Sequence, residues 1–302
     1  MWFKNARLYC LTRELDITPE VLEEKLAAEG FAPCGGHDKS SLGWVSPLGR
    51  EGEMLTHTVG RFTMICAQYQ ERLLPASVIR DVTDERVAAL EERQGRKVYR
   101  RERREIQDDV FATLLPRAFV RNLQLHAYLD LQDRLLVINT TSAPRAEALL
   151  NLLRECLGSL PVALPEVKRA PSELMTRWLK ERKATDKFVL EQECELYNPL
   201  DAANVVRCKG QDLHGDELKS HLAAGKRVRS LGVSWNSVVS AVIDEDLMIK
   251  RLRFEGMREE TANEEVESEV QKFDQEFALM TLELAGFFQS LFKAFGGLVS
   301  RD

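Results

Sequence analysis

The chain has 302 residues and a formal net charge of -6 at pH 7. Its 44% hydrophobic and 30% charged residues are typical of a folded globular protein and exclude disordered and fibrous classes. An acidic total is not typical of a protein that binds polyanions. The sequence contains no run of 18 apolar residues and no apolar leader, so we expect a cytoplasmic protein with no membrane partner.

The first half alternates strand and helix patterns. We predict a strand within residues 3–15, a helix capped by Thr18 that ends at Gly30, and a second strand within residues 58–70. The absence of proline between Pro75 and Pro116 predicts one long helix or two helices joined at Gly95. Two further strands, at residues 119–130 and 134–140, and a helix at residues 143–157 follow.

The second half repeats this mixture. Strand patterns occur at residues 188–197, 204–209, 226–234, 238–243 and 247–254, with a short helix at 215–224. Apolar residues at helical spacing predict a long, interrupted helix over residues 259–295, whose apolar face is either core or a partner surface. The fold class is therefore α+β, with mixed antiparallel sheets and long helices. Because prolines cluster at residues 161–171, we divide the chain into residues 1–165 and residues 166–302.

The net charge hides a strongly basic segment at residues 93–104. Its twelve residues carry a charge of +6, which leaves -12 for the remainder of the chain. On one continuous helix its seven cations would lie within an arc of roughly 160°. These cations are Arg93, Arg96, Lys97, Arg100, Arg101, Arg103 and Arg104.

Two interpretations of this basic stripe remain open. Neighbouring glutamates would form ordinary ion pairs on a solvated helix, each contributing roughly 0.2–0.5 kcal/mol. Alternatively, like-charge neighbours four residues apart favour an external anion, and we predict contact with DNA phosphates without sequence preference. A rival hypothesis is an acidic adaptor that docks its basic helix on a protein partner.

Two other groups could extend such a surface. In an extended conformation Arg117, Phe119 and Arg121 would share one face, although Phe119 equally suits a strand core. A second basic group lies on both sides of Gln211 in the sequence. These residues could line the same DNA path from the other half of the chain, or they could be ordinary charged residues at strand ends. The members of this second basic group are Arg207, Lys209, Lys226, Arg227 and Arg229.

Catalytic motifs are absent from the sequence. It has no phosphate-binding loop, zinc-protease motif or nucleophile elbow, so we predict no enzyme, no cofactor and no metal. Cys34 and His37 have ligand-like spacing but lack a second pair, and the six cysteines suit structural thiols. Asp108 and Asp109 leave a magnesium-dependent nuclease as an alternative, although adjacent carboxylates on a helix point about 100° apart.

Seven segments, in order from the first residues to the last helix, together resemble the bacterial RdgC family of recombination-associated proteins. They are WFKN at residues 2–5, FAPCG at 31–35, GWV at 43–45, LLPRAF at 114–119, LGSLP at 157–161, KGQDL at 209–213 and LMTLELA at 279–285. The resemblance covers essentially the whole chain.

The resemblance implies a nucleoid-associated protein that forms a ring-shaped homodimer around double-stranded DNA, binds single strands more weakly, and restrains RecA-promoted strand exchange. It implies that residues 93–104, Arg117, and the segment with Lys209 and Gln211 line the DNA path, and that Phe119 lies where the ring closes. Gly210 stands where the family often has another lysine. Cations inside the ring and acids outside would explain the charge distribution.

Overall fold

Seven strands form the first antiparallel sheet of the protein, which a computed structural model describes over residues 1–185, 187–213, 215–257 and 268–299. The sheet order is β2-β4-β5-β6-β1-β7, and β3 pairs with β4 beside β2. The strands are β1 (Arg7–Leu11), β2 (Ser40–Val45), β3 (Thr56–Val59), β4 (Phe62–Leu73), β5 (Phe119–Asp130), β6 (Leu135–Ile138) and β7 (Val162–Ala163).

Five strands form the second sheet, also antiparallel, in the order β12-β11-β10-β8-β9. They are β8 (Phe188–Asn198), β9 (Asp201–Lys209), β10 (Arg227–Trp235), β11 (Val239–Asp244) and β12 (Ile249–Phe254). The fold class predicted from sequence, α+β with antiparallel sheets, is confirmed.

Seven helices complete the part of the chain that the structure describes. They are α1 (Pro19–Ala27), α2 (Ala76–Gln94), α3 (Arg100–Leu114), α4 (Ala143–Leu157), α5 (Pro171–Glu181), α6 (Asp216–Ala223) and α7 (Glu269–Ala294). Thr18 caps α1 through a hydrogen bond from the backbone N–H of Val21, as the sequence indicated. The sequence did not indicate α5. The predicted start of the last helix, residues 259–267, lies outside the described residues.

Helix α7 lies between the two sheets. Its buried Phe277 contacts Tyr128 of the first sheet, with ring centroids 6.2 Å apart. Its buried Phe287 contacts Trp235 of the second sheet at 6.1 Å. The apolar face of α7 is therefore core, which decides between the two interpretations of the predicted helix. Leu282, on the same helix, remains 62% exposed.

The large core cluster around α7 contains residues from both sides of position 165, from Phe3 to Phe295. A smaller cluster packs α1 and α4 on the opposite face of the first sheet, where Leu22 and Leu150 are buried. The division of the chain at residue 165 stays a prediction.

Candidate nucleic-acid interface

Helices α2 and α3 form an antiparallel hairpin, which we call the arm. Gly95 ends α2 with φ 66°, a conformation that glycine adopts without strain, so the chain turns back before α3 begins at Arg100. The arm has a small core in which Thr83 and Val87 of α2 and Val110 of α3 are buried. Of the two predictions for residues 75–116, two helices joined at Gly95 is correct.

The break at Gly95 contradicts the predicted cationic stripe along one helix. Arg93 lies in the last turn of α2, and Arg96 and Lys97 lie in the connection. Arg100, Arg101, Arg103 and Arg104 belong to α3. The like-charge neighbours at positions 93/97, 96/100 and 97/101 therefore do not share one helix, whereas Arg100 and Arg104 both lie on α3.

Four of the seven cations are paired with acids of the arm. The guanidinium of Arg96 donates to both carboxylate oxygens of Glu102, at 2.6 and 2.8 Å. The remaining pairs are Lys97 with Glu91 at 3.7 Å, Arg101 with Glu105 at 3.2 Å, and Arg103 with Asp84. The interpretation as ordinary ion pairs thus holds for these four side chains.

The other three cations of the basic segment at residues 93–104 are Arg93, Arg100 and Arg104. All three are exposed and have no ion pair within the described ranges. Arg100 and Arg104 are four residues apart on α3, so they share one helix face and repel each other. An external anion bound at this face would relieve that repulsion.

At the base of the arm, Phe119 is 85% exposed at the start of β5. The alternative that Phe119 is a core residue is therefore wrong. Its register neighbour on β4, Leu73, is also 42% exposed, so the two side chains form a small apolar surface. Arg121 shares this strand face but is paired with Glu71. Arg117 lies in a short 3-10 turn instead of on the strand, so the predicted three-residue extended face is incorrect.

The second basic group lies on and near the second sheet, and much of its charge is neutralised. Arg207 and Arg229 both pair with Glu195. Lys226 is nearly buried and donates to Asn204. These three side chains therefore have local partners, as ordinary charged residues of strands do.

Lys209 and Gln211 are exposed at the end of β9, and Lys209 has no ion pair among the residues that the structure describes. Between them, Gly210 turns with φ 66° and its N–H donates to the carbonyl of Gln192 at 2.7 Å. Lys209 borders a shallow hollow of about 320 Å³ on the outer face of the sheet. Arg251 and Arg253 of β12, which the sequence analysis did not select, line the other side of this hollow.

Within the described ranges, no three His, Cys, Asp or Glu side chains are grouped so that they could hold a metal ion. Asp108 and Asp109 are both exposed on α3. The backbone N–H of Cys34 donates to Gln70, and its thiol lies 3.4 Å from the Gln70 carbonyl. No helix within those ranges combines the length and the apolar character needed to cross a membrane.

Comparison with known proteins gives one family over nearly the full length. Residues 1–298 match the family model described as "RdgC: Putative exonuclease, RdgC". The chain belongs to the RdgC family. This confirms the resemblance seen in the sequence.

Curated relatives agree with the family model. The "Recombination-associated protein RdgC" of Aeromonas hydrophila is 42% identical to this chain, over 98% of each chain. The proteins of the same name from Tolumonas auensis and Pseudomonas putida KT2440 are each 41% identical, over 98% of this chain and 99% and 98% of the relatives. The chain therefore belongs to a family whose curated members are named recombination-associated proteins.

Two carboxylates, Glu91 and Glu102, organise the turn of the arm, a role that was not predicted from the sequence. Glu102 accepts from Arg96 and from the backbone N–H of Tyr99 at 3.0 Å, while Glu91 accepts from the backbone N–H of Val98 at 2.8 Å. The Arg96 guanidinium and the Tyr99 N–H together lower the pKa of Glu102 to about 2. The signal in the sequence was an acid three residues after Tyr99, at the N3 position of a helix.

We predict that Glu102→Gln loosens the turn at neutral pH. Because the pKa of Glu102 is depressed in the folded protein, its contribution is complete above its ordinary pKa near 4.5 and is lost as the pH falls through about 2. Hydrogen exchange at the amides of Val98 and Tyr99 should be faster in the variant at pH 7. Glu105→Gln, which removes a more exposed acid of the same helix, is the matched control. Equal protection in both variants would contradict this role.

Proposed function

We propose that this member of the RdgC family binds double-stranded DNA through its phosphates, without sequence preference, and acts in recombination. The observation that carries the proposal is the group of exposed, unpaired cations on the arm, Arg93, Arg100 and Arg104, in a protein whose net charge is -6. Base-reading elements are not required for such binding, since phosphate contacts carry no sequence information.

Physical chemistry supports this use of α3. Arg100 and Arg104 are separated by four residues, which is about 6 Å along the helix axis. That spacing is similar to the distance between consecutive phosphates of a DNA strand, so each guanidinium can face its own phosphate. Contact with phosphates would also release condensed counterions, which is the main source of non-specific affinity. Lys209 and Arg117, both exposed and unpaired within the described ranges, would add contacts of the same kind.

The dependence of DNA affinity on salt concentration tests the proposed phosphate contacts. Reversing Arg100 and Arg104 to Glu should weaken binding equally for all duplex sequences and reduce the slope of log K against log salt by about 0.9 for each lost phosphate contact. The matched control reverses Arg50 and Arg145, two exposed arginines outside both basic groups. An unchanged slope in the α3 variant would sink the proposal. A wild-type protein that binds an acidic protein but not duplex DNA would favour the adaptor hypothesis instead.

We further propose that the protein works as a closed homodimer around DNA, binds single strands more weakly, and thereby obstructs RecA filaments, in the cytoplasm on nucleoid DNA. A ring with two-fold symmetry needs self-complementary contacts between its subunits. The exposed pair Phe119 and Leu73 is suited to one of these contacts. The apolar face of α7 is not available for another, because it is buried within the chain.

We predict that the protein alone has twice the chain mass in solution, and that Phe119→Ala shifts this equilibrium toward the monomer. The expected cause is the loss of one apolar anchor from each copy of a symmetric contact. Mass photometry or light scattering over a dilution series measures the shift. Leu200→Ala is the control, because Leu200 is 95% exposed and lies at the turn between β8 and β9. A wild-type monomer at micromolar concentration would contradict the homodimer.

The second candidate function is DNA cleavage, because the description of the family model contains the word exonuclease. We propose binding without cleavage, and we expect labelled single and double strands to remain intact after incubation with the pure protein and Mg²⁺ or Mn²⁺. Cleavage that disappears in Asp108→Asn would overturn this proposal, since Asp108 is a carboxylate of α3 beside the basic segment. Cleavage that persists in Asp108→Asn would place a nuclease site elsewhere in the chain.

A further inference from the structure

Tyr99 occupies an unusual place for an aromatic residue. It lies at the end of the arm, in the connection between α2 and α3, and it is 71% exposed. All five tyrosines of the chain lie within the described ranges, and the other four are buried or half-buried. A core or packing role therefore explains the other tyrosines but does not explain Tyr99.

The backbone beneath this ring is held in one conformation. The N–H of Tyr99 donates to Glu102 and its carbonyl accepts from the N–H of Arg103 at 3.0 Å, so residue 99 is fixed to the first turn of α3. On the other side, Glu91 holds the N–H of Val98. The aromatic ring is thus presented from an ordered turn, which reduces the entropy lost when a ligand binds it.

One cation contacts the exposed ring, and three more lie within two residues of Tyr99 in the sequence. The guanidinium carbon of Arg96 lies 5.7 Å from the ring centroid, within range of a weak cation-π contact. The side chains of Lys97 and Arg101 are 92% and 91% exposed, and the unpaired Arg100 follows Tyr99 directly. An aromatic face among cations is the combination by which proteins bind unpaired nucleotides, because the ring stacks on a base while the cations contact the flanking phosphates.

A base inside a duplex offers no free face to such a ring, since both faces are stacked on neighbouring pairs. We propose that Tyr99 is a base-stacking residue that binds an unpaired nucleobase of DNA at the end of the arm. Any base would serve, because each has an aromatic face. The proposal rests on the proposed DNA-binding function and adds to it a residue that recognises unpaired DNA.

The test compares Tyr99→Ala and Tyr99→Phe on two probes of equal length. One probe is a single strand of thymidines with a central 2-aminopurine, whose fluorescence falls when it stacks, and the other is a fully paired duplex. Tyr99→Ala should weaken single-strand binding roughly 5- to 150-fold, which corresponds to about 1–3 kcal/mol for one stacked base. It should leave duplex affinity within about twofold. Tyr99→Phe retains the ring and should bind as the wild type does.

Two further readouts separate stacking from a structural role. The salt slope for single-strand binding should be the same in Tyr99→Ala and the wild type, because no charge is removed. Arg100→Ala, the matched control, removes the neighbouring unpaired charge and leaves the aromatic ring, so it should lower the salt slope without changing the fluorescence of bound 2-aminopurine.

Three results would overturn the inference. The first is an unchanged affinity of Tyr99→Ala for the single strand, and the second is an equal loss of affinity for both probes. The third is conversion of Tyr99→Ala to a monomer, which would mean that the Tyr99 side chain contacts a second copy of the chain. Failure of the proposed function is distinguishable from all three, since it appears as a wild-type protein that does not bind the duplex. Duplex binding that persists while Tyr99→Ala behaves as the wild type removes the stacking role alone.

Discussion

The structure depends on the burial of helix α7 between the two sheets. The aromatic residues of α7 contact Tyr128 on one side and Trp235 on the other, so one helix supplies core to both halves of the chain. At Gly286 a Cβ atom would come within 2.8 Å of the Trp235 ring, which is closer than real contacts allow. The absence of a side chain at this position lets the helix approach the second sheet. Each sheet would otherwise expose an apolar face to water, so the halves are stabilised through the same helix.

The arm is built on a different principle, because its own apolar core is small. It is connected to the body through the long strands β4 and β5 and through a few contacts with the loop before β2. In these contacts Arg72 donates to carbonyls on both sides, and Lys39 lies 4.6 Å from the centre of the Phe111 ring. Carboxylates such as Glu91 and Glu102 then fix the distal turn. The arm is thus ordered largely by polar contacts, which leave its outer surface free for charged side chains.

Sequence patterns predicted most of the elements, and the exceptions have physical causes. Strand patterns located most of the strands, and proline and glycine located the ends of α2. The hairpin of β3 and β4 was predicted as a single strand, and β7 was not predicted. The cationic arc failed because it assumed helical spacing across Gly95, and a positive φ at that residue reverses the chain. Helix α5 was missed because a proline-rich segment resembles a linker, although Pro171 stands at a helix start, where proline is favoured. Exposure is a tertiary property, so no local pattern could separate the exposed Phe119 from a core phenylalanine.

The sequence predicted which cations belong to the candidate site but not how they are arranged and paired. The sequence shows seven cations, whereas the structure shows which of them already have partners. Four pair with acids of the arm, and the unpaired Arg100 and Arg104 share one face of α3. Pairing thus reduces the cationic surface left for an external anion from a continuous stripe to a short row of unpaired guanidiniums.

The direction of α3 adds to the electrostatic repulsion that its first arginines experience. The N-terminal end of a helix carries a partial positive charge, and cations placed there are unfavourable. The first residues of α3 are nevertheless Arg100 and Arg101, with Glu102 as the acid of the first turn. The carboxylate of Glu102 is engaged by Arg96 and by a backbone N–H, so it offsets part of the local charge. A phosphate at this end of α3 would interact with the helix terminus and the unpaired arginine together, which favours binding at the turn over binding farther along the arm.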